Sequence, residues 1–218
     1  NGDTYYRAVI RSGLSPVSTD NTHSTDIYNL TLNYDLGFAI VTSSSSHINI
    51  ETSLDSFSAL SSKDPSVNGG FLVIDNRNQV TGNTQEIRLM DNNDNNAFDW
   101  IVGAYYADLT DEADMLDRAS YTNGVGISFG PRATYLESES MAVFASIDYH
   151  ITEQLTFTIG ARYFEDDRAS AIVGGTEQSA SFDHLSPRVS LSYEVNDQAS
   201  IYASIAEGFR SGGINLFS

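Results

Sequence analysis

Alternation with a period of two, sustained over about ten residues at a time, constrains this chain more than any other feature of it. In 98–108, Phe98, Trp100, Val102, Ala104 and Tyr106 point one way, and Asp99, Ile101, Gly103, Tyr105 and Ala107 the other. In 155–165, Leu155, Phe157, Ile159, Ala161 and Tyr163 oppose Thr156, Thr158, Gly160, Arg162 and Phe164. In 184–193, Leu185, Pro187, Val189, Leu191 and Tyr193 oppose His184, Ser186, Arg188, Ser190 and Ser192. Successive strand side chains point to opposite faces, so each stretch has one apolar and one wet surface. A soluble sheet satisfies that too, but length discriminates. A tilted strand needs about 9–11 residues to cross hydrocarbon, whereas globular strands centre near 5–6. The expected fold is all-β, an antiparallel transmembrane β-barrel segment of about 8–9 strands.

Connections sharpen the expectation. Tight links are expected at Asp35-Leu36-Gly37, 91–97, 151–154 and 194–198, and the long polar segments 51–83, 108–139 and 165–183 are expected as extended outer loops. These segments hold sixteen acidic and five basic residues, so most of the formal charge of −18 is expected on one side of the membrane. Such a charge disfavours a nucleic-acid partner. It fits a solvated acidic surface, or a contact with lipopolysaccharide bridged by cations. Tyr34, Phe98, Trp100, Tyr149 and Tyr193 lie beside the tight links, as an interfacial aromatic girdle requires. The run Thr42 to Ser46 falls inside an expected strand, where the alternation offers no account of it.

Other chemistry is not signalled. His23, His47, His150 and His184 are isolated, and there is no cysteine, so no zinc spacing arises. The run Asp91-Asn-Asn-Asp-Asn-Asn96 lacks the glycine and closing glutamate of a calcium loop and reads as a polar turn. Gly124, Gly126 and Gly130 miss the dinucleotide spacing. No nucleophile, base and orienter set can be assembled, so no enzyme, metal or cofactor is expected. No run of 18 apolar residues occurs, hence no spanning helix. Asn1 opens no signal peptide, which leads to the expectation that the chain is mature or cut from a longer one.

The segments 84–90 (TQEIRLM), 98–106 (FDWIVGAYY), 142–149 (AVFASIDY), 155–163 (LTFTIGARY), 186–193 (SPRVSLSY) and 201–213 (IYASIAEGFRSGG) resemble, in this order, the barrel of TonB-dependent outer-membrane receptors. The ordered set ending in Gly208-Phe-Arg-Ser-Gly-Gly213 is its most specific part. The resemblance covers about 26–215. It implies a Gram-negative outer-membrane location, a larger barrel closed by a plug that couples to TonB, and uptake of a scarce ligand such as an iron–siderophore complex. Plug, TonB box and closing strands are not found in 1–218, so the whole chain is expected to be an internal barrel portion. Within that frame Thr158, Arg162, Arg188 and Ser190 are expected to face the lumen and brace the plug. Tyr105, Tyr106, Tyr121, Phe129, Tyr135 and Tyr163 are the candidates for contact with ligand. The alternatives are a small pore or adhesin barrel, which eight strands suffice to close, and a soluble secreted carbohydrate-binding β-domain.

Overall fold

A computed structural model describes the backbone of residues 6–10, 17–60, 70–92, 97–121 and 126–214, and the side chains of 21–55, 75–92, 97–115 and 133–214. The described residues form nine strands: β1 (Tyr6–Ile10), β2 (Val17–Asp35), β3 (Ala39–Leu60), β4 (Gly70–Asp91), β5 (Phe98–Tyr121), β6 (Gly126–His150), β7 (Leu155–Ile172), β8 (Gln178–Asn196) and β9 (Ala199–Ala206). They pair antiparallel in sequence order into one meandering sheet. β1 and β9 lie at its two edges, and the sheet is not closed.

The alternating stretches align across the whole sheet. Phe98 pairs with Tyr149, Tyr149 with Phe157, Phe157 with Leu191, and Leu191 with Ala203. Nearer the middle, Leu89 pairs with Val102, Val102 with Ala145, and Ala145 with Ala161. Apolar faces thus merge into one band. On β8 the apolar row Leu185, Pro187, Val189, Leu191 and Tyr193 is exposed, while His184, Ser186, Ser190 and Ser192 between them are half-buried. The polar face is therefore the inner one, and the apolar band is the outer surface. Register pins this choice, because a slip of one residue would turn every side chain to the wrong face.

The band's height matches a bilayer. From Phe98 to Tyr106 is nine residues, which at about 3.3 Å each and a tilt near 40° rise about 23 Å, close to the ~25 Å apolar band of outer-membrane barrels. Exposed Tyr34, Phe98, Tyr149 and Tyr193 ring the end near the tight links. Exposed Tyr28, Tyr106 and Tyr163 ring the other.

One expectation fails above that second ring. The described residues of the segments 51–83, 108–139 and 165–183 are mostly strand rather than extended loop, and β3 to β6 run 22–25 residues; 61–69 and 122–125 lie outside the described residues. Beyond the bilayer both faces of a strand meet water, so polar residues replace the alternation while the backbone ladder continues. The tight links occur at 36–38, 151–154 and 197–198, while residues 93–96 of the expected link at 91–97 lie outside the described residues. Leu36 to Phe38 joins β2 to β3, with Gly37 at φ +89°. The Asp35 carboxylate accepts from the Gly37 amide at 2.6 Å and from Asn92 at 3.0 Å.

Cross-strand bonding explains the serine run. Asn29 donates to Ser46 at 2.8 Å and Thr42 to Asn33 at 2.8 Å on the inner face. On the outer face Ser45 donates to Gln85, whose amide donates to Ser43 at 3.0 Å. Polar groups at bilayer depth are thus satisfied within the sheet, as hydrocarbon demands. At Gly103 an added Cβ would lie 2.3 Å from the Phe144 ring, so only glycine lets that ring cross the inner wall.

Candidate functional site: the inner wall

The inner face of β7 and β8 carries the residues expected in the lumen. Thr158 pairs with Ser190, Gly160 with Arg188, and Arg162 with Ser186, so all four predicted positions share one face. Arg88 lies on the same face of β4, in the cross-strand row through Gly103 and Phe144 to Arg162. A cavity of about 430 Å³ is lined by Arg88, Phe144, Arg162, Arg188, Glu86 and Glu207. Among the described residues, Arg88 alone of these arginines makes an ion pair, with Glu86 at 3.7 Å. The guanidinium of Arg162 instead sits 5.6 Å from the Tyr105 ring centre and 5.4 Å from that of Phe164. Such cation–π contacts are worth about 0.5–2 kcal/mol and leave the charge free to meet an anion.

After β9 the chain turns inward and lies over this wall as a strap, residues 207–213. Glu207 donates its amide to the Pro187 carbonyl at 3.0 Å. Phe209 stacks on His184 at 5.0 Å and tilts against Phe164 at 5.9 Å. His184 Nε2 is 3.2 Å from the Glu207 carboxylate. Arg168 donates to the Gly212 carbonyl at 3.0 Å, and a Cβ at Gly212 would lie 2.6 Å from the Phe182 ring.

Asp166 is the strap's anchor and is only 1% exposed. It accepts from Ser138 at 2.7 Å, Ser140 at 3.0 Å and Arg168 at 2.7 Å, and also bonds Ser211. Burial pushes its carboxyl up, but the bonds from Ser211, Ser138, Arg168 and Ser140 outweigh that and hold it below the ordinary 3.8. A depressed folded pKa gives stability that is present above the unfolded value and lost as pH falls through the folded one. The strap is therefore expected to stay pinned from neutral pH down to the usual carboxylate range and to release only below it. Asp166→Asn should release it at neutral pH, read as faster thiol labelling of a cysteine placed at Gly213, where an added Cβ meets nothing within 4 Å. Equal labelling with Asp166 intact or replaced would remove the anchor role.

The predicted ligand-contact residues whose side chains are described do not share one face. Tyr105 faces the lumen beside Arg162. Its neighbour Tyr106 and the cross-strand Tyr163 lie on the opposite, lipid-facing surface, because adjacent strand residues alternate faces. Tyr135 stands on the outer surface above the band and donates to Glu177, and that bond raises its pKa above the usual 10.0. The side chains of Tyr121 and Phe129 lie outside the described residues. Residues not among the predicted site positions, Phe164, His184, Glu207 and Phe209, join Tyr105 and Arg162 in a continuous aromatic and charged row. One signal was present: Phe164 breaks the polar parity of its strand, as a residue with an inward packing role does.

A family model described as "TonB dependent receptor-like, beta-barrel" matches residues 1–218. The chain belongs to that family. Its members are transport receptors of the Gram-negative outer membrane, not enzymes. Among curated relatives, the pesticin receptor of Yersinia enterocolitica is 20% identical over 157 residues, covering 67% of this chain and 22% of its own length. The ferric yersiniabactin uptake receptor FyuA from Yersinia pestis superposes with a TM-score of 0.68 at 16% identity, over 89% of this chain and 29% of that one. The siderophore receptor PiuA from Acinetobacter baumannii gives 0.69 at 15% identity, over 86% of this chain and 32% of that one. The chain thus spans about a fifth of the length of the curated relative.

Proposed function

We propose that these strands form part of the wall of a TonB-dependent receptor that takes up a scarce ligand such as an iron–siderophore complex. A plug in the same receptor would couple it to TonB. The observation that carries the reading is the inner wall itself, where Arg162 and Arg188 make no ion pair among the described residues and Tyr105, Phe164 and Phe209 stand beside them. Free guanidinium groups beside aromatic rings suit an anionic chelate rich in oxygen and aromatic groups. Names of the structural neighbours point the same way. Tyr105 is the ligand-contact residue favoured by its inward placement, and Thr158, Arg188 and Ser190 lie where a plug would pack.

The test is iron-restricted growth fed with ferric siderophores, in cells with and without the receptor and with and without TonB. Growth that requires both supports the reading. Arg162→Ala is expected to raise the siderophore concentration for half-maximal growth several-fold at unchanged receptor abundance. Failure of every ferric siderophore, together with TonB-dependent uptake of cobalamin or a glycan, would keep the receptor role and reject the iron ligand.

A further inference from the structure

The strap carries the same chemistry that the wall beneath it is suited to hold. Glu207 and Phe209 flank Gly208 and bring a carboxylate and an aromatic ring onto the inner face. Phe209 stacks on His184 at 5.0 Å, with the ring planes 11° apart, and meets Phe164 at 5.9 Å. The Arg162 guanidinium stands 5.4 Å from the centre of that Phe164 ring. Glu207 lines the same cavity as Arg88, Arg162 and Arg188. An acid and a ring of the chain itself thus occupy the seat that would suit an anionic aromatic ligand.

Their fit is incomplete. Glu207 Oε1 is 3.2 Å from His184 Nε2, yet that nitrogen is buried and makes no hydrogen bond among the described residues, because the approach lacks the alignment a hydrogen bond needs. Arg88 Nε, on the wall of the cavity, is buried and unbonded in the same way. Buried polar atoms are nearly always satisfied, so two orphans beside one cavity mark a place for oxygen atoms that the strap does not supply. The strap is also held unevenly. Its backbone is fixed at Glu207 by the Pro187 carbonyl, and at Ser211 and Gly212 by Asp166 and Arg168. Between those points Phe209 is held by ring contacts and is 37% exposed, and an added Cβ at Gly208 would meet nothing within 4 Å. The side chains of Glu207 and Phe209 can therefore swing off the wall while the strap stays attached at both ends.

We propose that Glu207 and Phe209 are a built-in surrogate for the ligand, displaced when a ligand with an aromatic ring beside anionic oxygen atoms takes their place on His184, Phe164 and the arginine cavity. This rests on the receptor reading above and adds a device to it. The incoming ring replaces Phe209 against His184 and Phe164, and its oxygen atoms bond His184 Nε2 and Arg88 Nε. A ligand shifts such an equilibrium only by what it gains over the contacts it breaks. One that lacks either the ring or the oxygen atoms does not offset the loss of the surrogate, so the strap acts as a selectivity threshold. It also lowers the apparent affinity of the right ligand by the fraction of molecules in which the seat is taken.

The experiment uses the intact receptor in detergent, with the ferric complex of 2,3-dihydroxybenzoate as the probe. Affinity is read by titration, and displacement by the motion of a nitroxide attached at Gly208→Cys, where a side chain has room. Binding of the probe should free the nitroxide. Phe209→Ala and Glu207→Gln should each tighten binding by about threefold or more, because each removes a competitor, whereas His184→Ala should weaken it by about as much. A general loosening of the wall would weaken binding in all three, and heat-modifiability of each variant checks that the barrel is intact. Weaker or unchanged binding in Phe209→Ala and Glu207→Gln, or a nitroxide that stays fixed while the parent binds the probe, would overturn the surrogate and leave the receptor reading standing. Failure of the parent and all variants to bind the probe would reject this ligand class and the surrogate with it, and TonB-dependent growth on another ferric siderophore would then show that the receptor reading survives.

Discussion

Leu191→Arg is expected to cost the membrane-inserted protein about 2–4 kcal/mol, while Ser190→Arg leaves its assembly close to that of the parent. The two residues are neighbours in sequence and differ only in face. Leu191 is 44% exposed on the apolar band, between Phe157 and Ala203. An arginine there must be carried into hydrocarbon or dragged to an interface. Ser190 lies on the inner wall between Thr158 and Ser204, where water and other polar groups can receive the guanidinium. The measurement is denaturant unfolding of protein inserted in lipid, with the heat-modifiable fraction as a second readout. Equal losses from both substitutions would reject the assignment of faces.

The same residues show how far the sequence carried. Wherever one face meets lipid and the other does not, the physical asymmetry is written as alternation, and the stretches at 98–108, 155–165 and 184–193 predict their faces correctly. Above the bilayer that asymmetry vanishes. In β5 the residues after Asp108 follow no apolar period because both faces are wet. A propensity argument then reads loop where the neighbouring ladders in fact impose strand. Serines 43–46 escaped explanation for a related reason. Their partners Asn29, Thr31 and Gln85 lie on other strands, and only register brings them together.

The inner wall was legible in part. Parity alone placed Thr158, Arg162, Arg188 and Ser190 together. It also separates Tyr105 from Tyr106, a distinction that grouping aromatic residues by type erased. The strap was not legible, because its contacts join residues far apart in the chain, such as Arg168 with Gly212. The 208–213 segment stands out in the sequence only as the most specific part of the family resemblance. In the fold it is a cover whose glycine at 212 admits the Phe182 ring.

Residues 1–218 expressed alone are expected to collect in inclusion bodies, without forming a heat-modifiable monomer in detergent. The reason lies in strand count and direction. Nine strands paired antiparallel in sequence order leave β1 and β9 running the same way, so a seam between them would have to be parallel. Outer-membrane barrels from bacteria close antiparallel with an even number of strands. Left open, each edge presents backbone groups to hydrocarbon, where every unsatisfied one costs several kcal/mol. β9 also shows no blunting: Ile201, Tyr202 and Ile205 are 66–83% exposed, and the strand carries no charge or proline to deter pairing with another chain. Aggregation through these edges is the cheaper outcome than insertion. The check is refolding from urea into detergent and into lipid vesicles, followed by size analysis and conductance measurement. A stable monomer that conducts ions would show that the sheet closes on itself, and would replace the receptor-wall reading with that of a small pore.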